Sequence, residues 1–178
     1  AAPMAFEPAQ HSFITLEGVD GAGKSTQARL LARALELAGY QVVSLREPGG
    51  TAISEKIRAL LLAPANTTMG DTCELLLYEA ARAQLVHEVI APALTDGTHP
   101  ALTLVYHITP EQAALRMAAR GAADRMEAKG MAFQERVYQG FCAIAAEEPN
   151  RVKLIDATAS IEDVFARTVE QVRVYGLD

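Results

Sequence analysis

The sequence predicts an α/β fold, in which a parallel sheet is flanked by helices on both faces. Four short runs are nearly continuous in Val, Ile, Leu, Phe or Tyr, as expected for strands that are buried on both faces. Stretches with helical character separate these runs, and such alternation is typical of a parallel sheet. The predicted strands are Phe13–Glu17, Gln41–Leu45, Ala101–His107 and Val152–Asp156.

The predicted helices are bounded by capping residues. The helix Lys24–Leu37 ends before Gly39, because glycine readily adopts the left-handed conformation that closes a helix. At a helix start, a side-chain oxygen paired with the residue three positions later satisfies N–H groups of the first turn. Three later helices are predicted to begin on such pairs, namely Asp71 with Glu74, Thr109 with Gln112, and Ser160 with Asp163.

The helix from Cys73 to about Leu94 is apolar around most of its circumference, so a single buried face cannot satisfy it. It is either enclosed within the core, or it contacts the sheet with one face and a second copy of the chain with another. For a domain of this size we favour the second interpretation. We therefore expect a homodimer that forms through the 73–94 region.

Length, composition and charge indicate one ordinary domain. We expect residues 1–178 to form a single domain, with Ala1-Ala2-Pro3 ahead of Met4 as a cloning remnant. The net charge of -6 argues against a general nucleic-acid binder, which needs a basic face. No apolar run approaches the ~20 residues of a membrane span. Cys73 and Cys142 form no CxxC pair, and no secretion leader is recognised, so we expect a cytoplasmic protein.

A phosphate-binding loop follows the first predicted strand. Residues 18–25 have the spacing G-x-x-x-x-G-K-S between a strand and a helix, as the motif requires. The glycines allow backbone N–H groups to converge on phosphates, and the helix N-terminus adds a positive field. Lys24 is expected to reach the β- and γ-phosphates, and the Ser25 hydroxyl is expected to bind Mg²⁺. The predicted ATP-binding residues are Gly18, Val19, Asp20, Gly21, Ala22, Gly23, Lys24, Ser25 and Thr26.

Asp20 is an unusual residue within this loop, because a carboxylate repels the phosphates that the loop binds. Its side chain should therefore point away from them. It either faces solvent or accepts a hydrogen bond from a sugar hydroxyl of a second substrate, and charge alone leaves both interpretations open.

Five segments of the sequence form a more particular pattern. They are FITLEGVDGAGKST at 13–26, REPGGT at 46–51, LYEAAR at 77–82, ADRME at 123–127 and FQERV at 133–137. In this order, and across nearly the whole chain, they resemble the bacterial thymidylate kinases, which are P-loop nucleoside monophosphate kinases. The second and third segments carry most of this resemblance, because many NTPases share the first.

The resemblance implies transfer of the ATP γ-phosphoryl group to dTMP, which yields dTDP for dTTP biosynthesis, with Mg²⁺ as cofactor. By their positions in the family's motifs, Asp20 would hold the sugar 3′-hydroxyl, and Arg46 would lie near the acceptor phosphate. Tyr78 would stack on the thymine ring, and Arg82 would hydrogen-bond the base. Without substrate roles, Tyr78 would be a core residue and Arg82 would form a solvated ion pair. The loop after Asp156 lies where the family packs adenine.

The resemblance also implies a mobile lid around residues 120–130. Some family members carry an arginine in the phosphate-binding loop, whereas this chain has Gly21 there. Members without that arginine place compensating arginines in the lid instead, so Arg120 and Arg125 would be catalytic together with Lys24. The chemical reason is that cations must offset the charge on the transferring phosphoryl group. The structural alternative is ordinary surface charge at a helix end.

One element of the family pattern is missing. Relatives have a strand that ends in Asp-Arg between the long helix and the strand Ala101–His107. In this chain Asp96-Gly97-Thr98 is followed directly by His99-Pro100, with no such strand between them. In the resembled fold that strand lies between the first two strands. We therefore expect an interruption between Asp96 and Pro100, with Thr98 and His99 farther apart than neighbouring residues.

This interruption makes a prediction about the sheet. An empty slot or disrupted pairing is expected between Phe13–Glu17 and Gln41–Leu45. Direct pairing of these two segments would instead favour a nucleotide-binding relative without catalysis. A kinase for another nucleoside monophosphate on the same scaffold is the remaining alternative.

Overall fold

The computed structural model describes residues 12–94, 99–118 and 124–176. Within them, three strands form a parallel sheet in the order β1-β2-β3. In the register, Ile14 lies opposite Leu102, and Thr103 lies opposite Val152. This confirms the predicted parallel sheet and three of its four predicted strands. The strands are β1 (Ile14–Glu17), β2 (Leu102–His107) and β3 (Val152–Asp156).

Helices connect the strands and follow the last one. A π-helical turn (Val86–Ile90) and a 3-10 turn (Glu127–Lys129) lie beside longer helices. None of the helices in the described ranges combines the length and apolar character that a membrane crossing requires. The helices are α1 (Lys24–Leu37), α2 (Ala52–Leu62), α3 (Asp71–Leu85), α4 (Ala91–Ala93), α5 (Pro110–Ala118), α6 (Met131–Glu147) and α7 (Ile161–Val174).

Helices pack on both faces of the sheet. Successive residues of β2 point to opposite sides, so this strand contacts both helical layers. Tyr106 packs in the main core with Leu31 of α1 and Val164 of α7. Its neighbour Val105 packs on the other side with Ala145 of α6. Buried on both faces, β2 is the central strand, and the predicted layering of helices around the sheet is confirmed.

The predicted strand Gln41–Leu45 is wrong, since this segment belongs to no strand. Val43 is 60% exposed and Leu45 is 39% exposed, although their residue types favour a sheet. A strand needs a neighbour that accepts its backbone hydrogen bonds, and β1 pairs only with β2 in the described part of the chain. The disrupted pairing that the missing family strand predicts is therefore present. The spacing of Thr98 and His99 lies outside the described residues.

Two of the three predicted capping pairs are confirmed. Ser160 Oγ accepts a hydrogen bond from the Asp163 N–H at 3.1 Å. Thr109 donates its N–H to Gln112 Oε1 at 3.0 Å, and its own hydroxyl accepts from the Gln112 N–H at 3.4 Å. The third pair is wrong. Helix α3 begins at Asp71, so the residue at its N-cap is Gly70, which has no side chain to cap the helix. The Glu74 carboxylate instead binds two cations from elsewhere in the chain.

Candidate nucleotide-binding site

The loop between β1 and α1 is held against the carboxyl end of the sheet by glycines. Gly18 has a φ of 135°, and a Cβ there would lie 2.6 Å from the carbonyl oxygen of Tyr106. Gly21 has a φ of 85°, and a Cβ there would lie 2.7 Å from the carbonyl oxygen of Ala113. Both positions therefore require glycine. An arginine in place of Gly21 has no room in this backbone.

Lys24 lies over the loop that it follows. Its Nζ donates hydrogen bonds to the carbonyl oxygens of Gly18 at 2.6 Å and Val19 at 3.0 Å. Asp20 Oδ1 lies 3.7 Å from the same nitrogen, so this carboxylate faces the lysine amine. Ser25 is exposed in the first turn of α1, where the helix N-terminus favours anions. The loop thus joins a cation, a hydroxyl and a helix N-terminus in one place.

Glu17, the last residue of β1, was not anticipated as part of this site. Burial raises the pKa of its carboxyl group, the positive charge of Lys24 opposes that shift, and Glu47 reinforces it. The positive charge of Arg82 also opposes the shift, but the pKa of Glu17 remains above its ordinary value. The charged groups of Lys24, Glu47 and Arg82 are therefore close enough to influence the carboxyl group at the end of β1. The only signal in the sequence is a carboxylate at a strand end next to a phosphate-binding loop.

The REPGGT segment at 46–51 is bound to helices α2 and α3 by ion pairs. Arg46 lies 2.9 Å from Glu55, which also accepts a hydrogen bond from the Gly50 N–H at 2.8 Å. Arg82 of α3 lies 2.9 Å from Glu47. Arg46 and Arg82 are each about 60% exposed, at 63% and 60%. Both guanidinium groups therefore remain accessible to a ligand.

Tyr78 is half-buried on α3, one helical turn before Arg82. Burial raises the pKa of its hydroxyl, and the negative charge of Glu74 adds to that shift. Arg125 opposes the shift, whereas Asp124 and Asp20 reinforce it. Tyr78 therefore lies within electrostatic reach of both the phosphate-binding loop and the 124–130 segment.

The predicted lid arginines differ in what the structure shows of them. Arg120 lies outside the described residues. The Arg125 guanidinium lies 2.5 Å from Glu74 and donates from Nε to the carbonyl oxygen of Leu61 at 2.6 Å. Only 10% of the Arg125 side chain is exposed. This arginine is therefore bound between α2 and α3, and its predicted catalytic role stays a prediction.

The loop after β3 closes the other side of the site. Arg116 of α5 donates a hydrogen bond to the carbonyl oxygen of Ala157 at 2.7 Å. Gln27 of α1 donates to the carbonyl oxygen of Ile161 at 3.0 Å. The segment from the end of β3 to the start of α7 is thus fixed to α5 and to α1, the helix that follows the phosphate-binding loop.

Comparisons with known proteins agree on one family. A family model described as thymidylate kinase matches residues 16–99 and 95–168. The thymidylate kinase of Exiguobacterium sibiricum is 39% identical over 201 aligned residues, covering 92% of this chain and 95% of the relative. That of Pseudomonas putida is 42% identical, covering 85% and 91%. The crystal structure of thymidylate kinase from Ehrlichia chaffeensis superimposes with a TM-score of 0.71 at 26% identity, covering 92% and 99%.

The same comparisons locate the missing element. The family model matches in two pieces that meet at residues 95–99. The alignment to the Exiguobacterium relative is 201 positions long, but it includes only about 164 residues of this chain, which is 92% of 178. About 37 positions of the relative therefore have no counterpart in this chain. The interruption predicted between Asp96 and Pro100 coincides with this junction.

The fold and the motif order agree with the sequence prediction, and the matches cover most of both the chain and its relatives. This chain belongs to the thymidylate kinase family, whose members are ATP-dependent nucleoside monophosphate kinases.

Proposed function

We propose that the chain transfers the γ-phosphoryl group of ATP to dTMP, which gives ADP and dTDP. The observation that carries this proposal is the placement of Tyr78 and Arg82 one turn apart on α3, with Arg82 paired at 2.9 Å to Glu47 of the REPGGT segment. The charge of Arg82 acts on Glu17, directly before the phosphate-binding loop, and that of Asp20 within the loop acts on Tyr78. A site for the phosphates of the donor thus lies next to a site for the base of the acceptor nucleotide. Family membership supports the same reaction, a phosphoryl transfer in nucleotide biosynthesis.

On the donor side, Lys24 binds the β- and γ-phosphates and stabilises the charge that develops during transfer. Its amine already lies at the loop, and its bonds to backbone carbonyls are replaced by bonds to phosphate oxygens when ATP binds. Arg120 and Arg125 of the lid around 120–130 supply further positive charge. The lid and the rest of residues 1–178 form a single domain in this proposal.

The site also fits Mg²⁺, which would offset charge on the nucleotide phosphates. Mg²⁺ prefers oxygen ligands and keeps several waters, so one exposed hydroxyl beside phosphate oxygens is a suitable donor set. Ser25 provides that hydroxyl. Across the described ranges no group of three or more His, Cys, Asp or Glu side chains could hold a metal ion. We therefore propose that Mg²⁺ is bound together with ATP.

On the acceptor side, we propose that the Tyr78 ring stacks on thymine and that Arg82 donates hydrogen bonds to the base. Arg46 lies near the acceptor phosphate, and its exposed guanidinium suits a phosphate ligand. Asp20 accepts a hydrogen bond from the sugar 3′-hydroxyl. Its proximity to both Lys24 and Tyr78 supports a position between the donor phosphates and the base.

We further propose that the protein is a cytoplasmic homodimer that forms through the 73–94 region. Leu75 and Leu76 of α3 are 59% and 63% exposed, which is unusual for leucines on a long helix. Ala80 and Ala83 extend the same exposed surface. A second copy of this helix would cover the patch symmetrically. Both cysteines are free thiols, in agreement with a reducing compartment.

Replacement of Arg82 tests the acceptor side of this proposal. In Arg82→Ala we expect the KM for dTMP to rise about ten- to a hundredfold, because charge-assisted hydrogen bonds are each worth about 1.5–3 kcal/mol. The KM for ATP should change little. Steady-state kinetics with each substrate varied in turn measures both values.

The matched control is Arg173→Ala, which removes the same exposed side chain from α7, away from the site. It should leave both KM values unchanged. A loss of ATP affinity in Arg82→Ala, with dTMP unaffected, would contradict the proposed role.

A further inference from the structure

We propose that Glu74 is a positioning residue, which holds the 124–130 segment through Arg125 and Lys129 and so sets its place beside Tyr78. This inference rests on the proposed function. It deepens that function by assigning a role to a carboxylate that contacts neither substrate.

The Glu74 carboxylate is bound by two cations from the same segment. Arg125 lies 2.5 Å from Oε2, and Lys129 lies 2.6 Å from Oε1, so each oxygen has its own partner. The side chains are largely buried, with 13% of Glu74, 10% of Arg125 and 24% of Lys129 exposed. Ion pairs shielded from solvent in this way are far less weakened by water and salt than surface pairs.

The charge state of Glu74 agrees with this arrangement. Burial alone would raise the pKa of its carboxyl group. Hydrogen bonds from Lys129 and Arg125 outweigh burial, and the pKa lies below its ordinary value. The carboxylate is therefore ionised at neutral pH, which is the charge state that both ion pairs require.

Further contacts fix the segment around these two pairs. The Arg125 backbone N–H donates to the carbonyl oxygen of Leu62 at 3.2 Å, and its Nε donates to that of Leu61. Asp124 Oδ1 accepts from the backbone N–H groups of Met126 at 2.8 Å and Glu127 at 2.9 Å. The segment is thus internally ordered, and its attachment to the α2–α3 pair runs through Arg125 and Lys129.

The position of Glu74 on α3 links this attachment to the site. Glu74 precedes Tyr78 by one helical turn, so the two side chains lie on the same face of α3. The charges of Glu74, Arg125 and Asp124 all act on the Tyr78 hydroxyl. A shift of the segment would therefore change the surroundings of the acceptor base, and misplacement by about 1 Å can lower a rate about a hundredfold.

Glu74→Gln removes the charge and keeps the shape of the side chain. We expect kcat to fall by about ten- to a hundredfold while the KM for ATP stays within about threefold. Amide hydrogen exchange of peptides covering 124–130 should become faster. Kinetics are measured well below the unfolding temperature of the variant, and circular dichroism confirms that it is folded.

The control is Glu148→Gln, because both carboxylate oxygens of Glu148 are also bound by cationic groups, here by the single guanidinium of Arg151 at 2.7 and 2.9 Å, ahead of β3. It should alter neither kcat nor exchange at 124–130. If Glu74→Gln does not fold, Glu74→Asp keeps the charge, shortens the reach, and should show both effects in weaker form.

Faster exchange with unchanged kcat would make Glu74 a purely structural tether and overturn the proposal. A lower kcat with unchanged exchange would overturn it too, because Glu74 would not act through the segment. A loss confined to the KM for ATP would assign it to nucleotide binding instead. If the unmodified protein does not phosphorylate dTMP at all, the proposed function fails, whereas the exchange rates still show whether Glu74 holds the segment.

Discussion

Lys24→Ala is expected to lower the turnover of dTMP by about 10²–10³-fold or more, because it removes a cation that stabilises the transferring phosphoryl group. The proposed role of Lys24 is supported by the loop motif and by its contacts with the loop itself. In this variant kcat/KM should fall by a larger factor than the affinity for dTMP. Steady-state rates with Mg²⁺ and ATP measure the effect.

The control for this change is Lys56→Ala on α2, which removes an exposed lysine of the same charge. It should retain normal turnover. The Lys24 variant must also be shown to be folded, since its Nζ bonds to Gly18 and Val19 help to shape the loop. A folded Lys24→Ala protein with near-normal activity would remove the basis for a phosphoryl-transfer site here.

The second large effect is expected from restoring the missing element. Insertion between Thr98 and His99 of the corresponding segment from the Exiguobacterium thymidylate kinase, about 37 residues, should raise dTMP turnover about a hundredfold. The resemblance implies that this segment supplies an arginine for the acceptor phosphate and a strand beside β1. Amide exchange at 41–45 should then slow, because these residues gain a backbone partner.

A Gly/Ser insert of equal length at the same position is the control, and it should change neither turnover nor exchange. If the relative's segment has no more effect than this control, the junction is not a gap in the fold. The exposed Val43 and Leu45 would then need another explanation.

Local signals in the sequence were sufficient for most of the fold. The bounds of α1 and β3 match the prediction, because a glycine-closed helix and a short apolar run are specified by neighbouring residues. The strand Gln41–Leu45 could not be predicted in the same way. Its residue types favour a sheet, but pairing depends on a partner strand from a distant part of the chain, and the described residues contain no such partner.

The candidate site shows the same division. The loop at 18–25 is a contiguous motif, so its cation, hydroxyl and helix start could be read directly from the sequence. Glu74 could not, since its spacing from Asp71 is that of a capping pair. Its actual partners lie 51 and 55 residues away in the chain, at Arg125 and Lys129. Only the folded structure shows that this carboxylate joins α3 to the 124–130 segment.

Initial rates with Mg²⁺ and ATP, measured separately for dTMP, dUMP, AMP and GMP, test the assignment of the acceptor most directly. Formation of ADP and dTDP well ahead of any other diphosphate is the predicted result, because Tyr78 and Arg82 are proposed to bind thymine. Comparable rates with AMP would point to a kinase for another nucleoside monophosphate. ATP binding without transfer to any acceptor would contradict the account and leave a nucleotide-binding protein without catalysis.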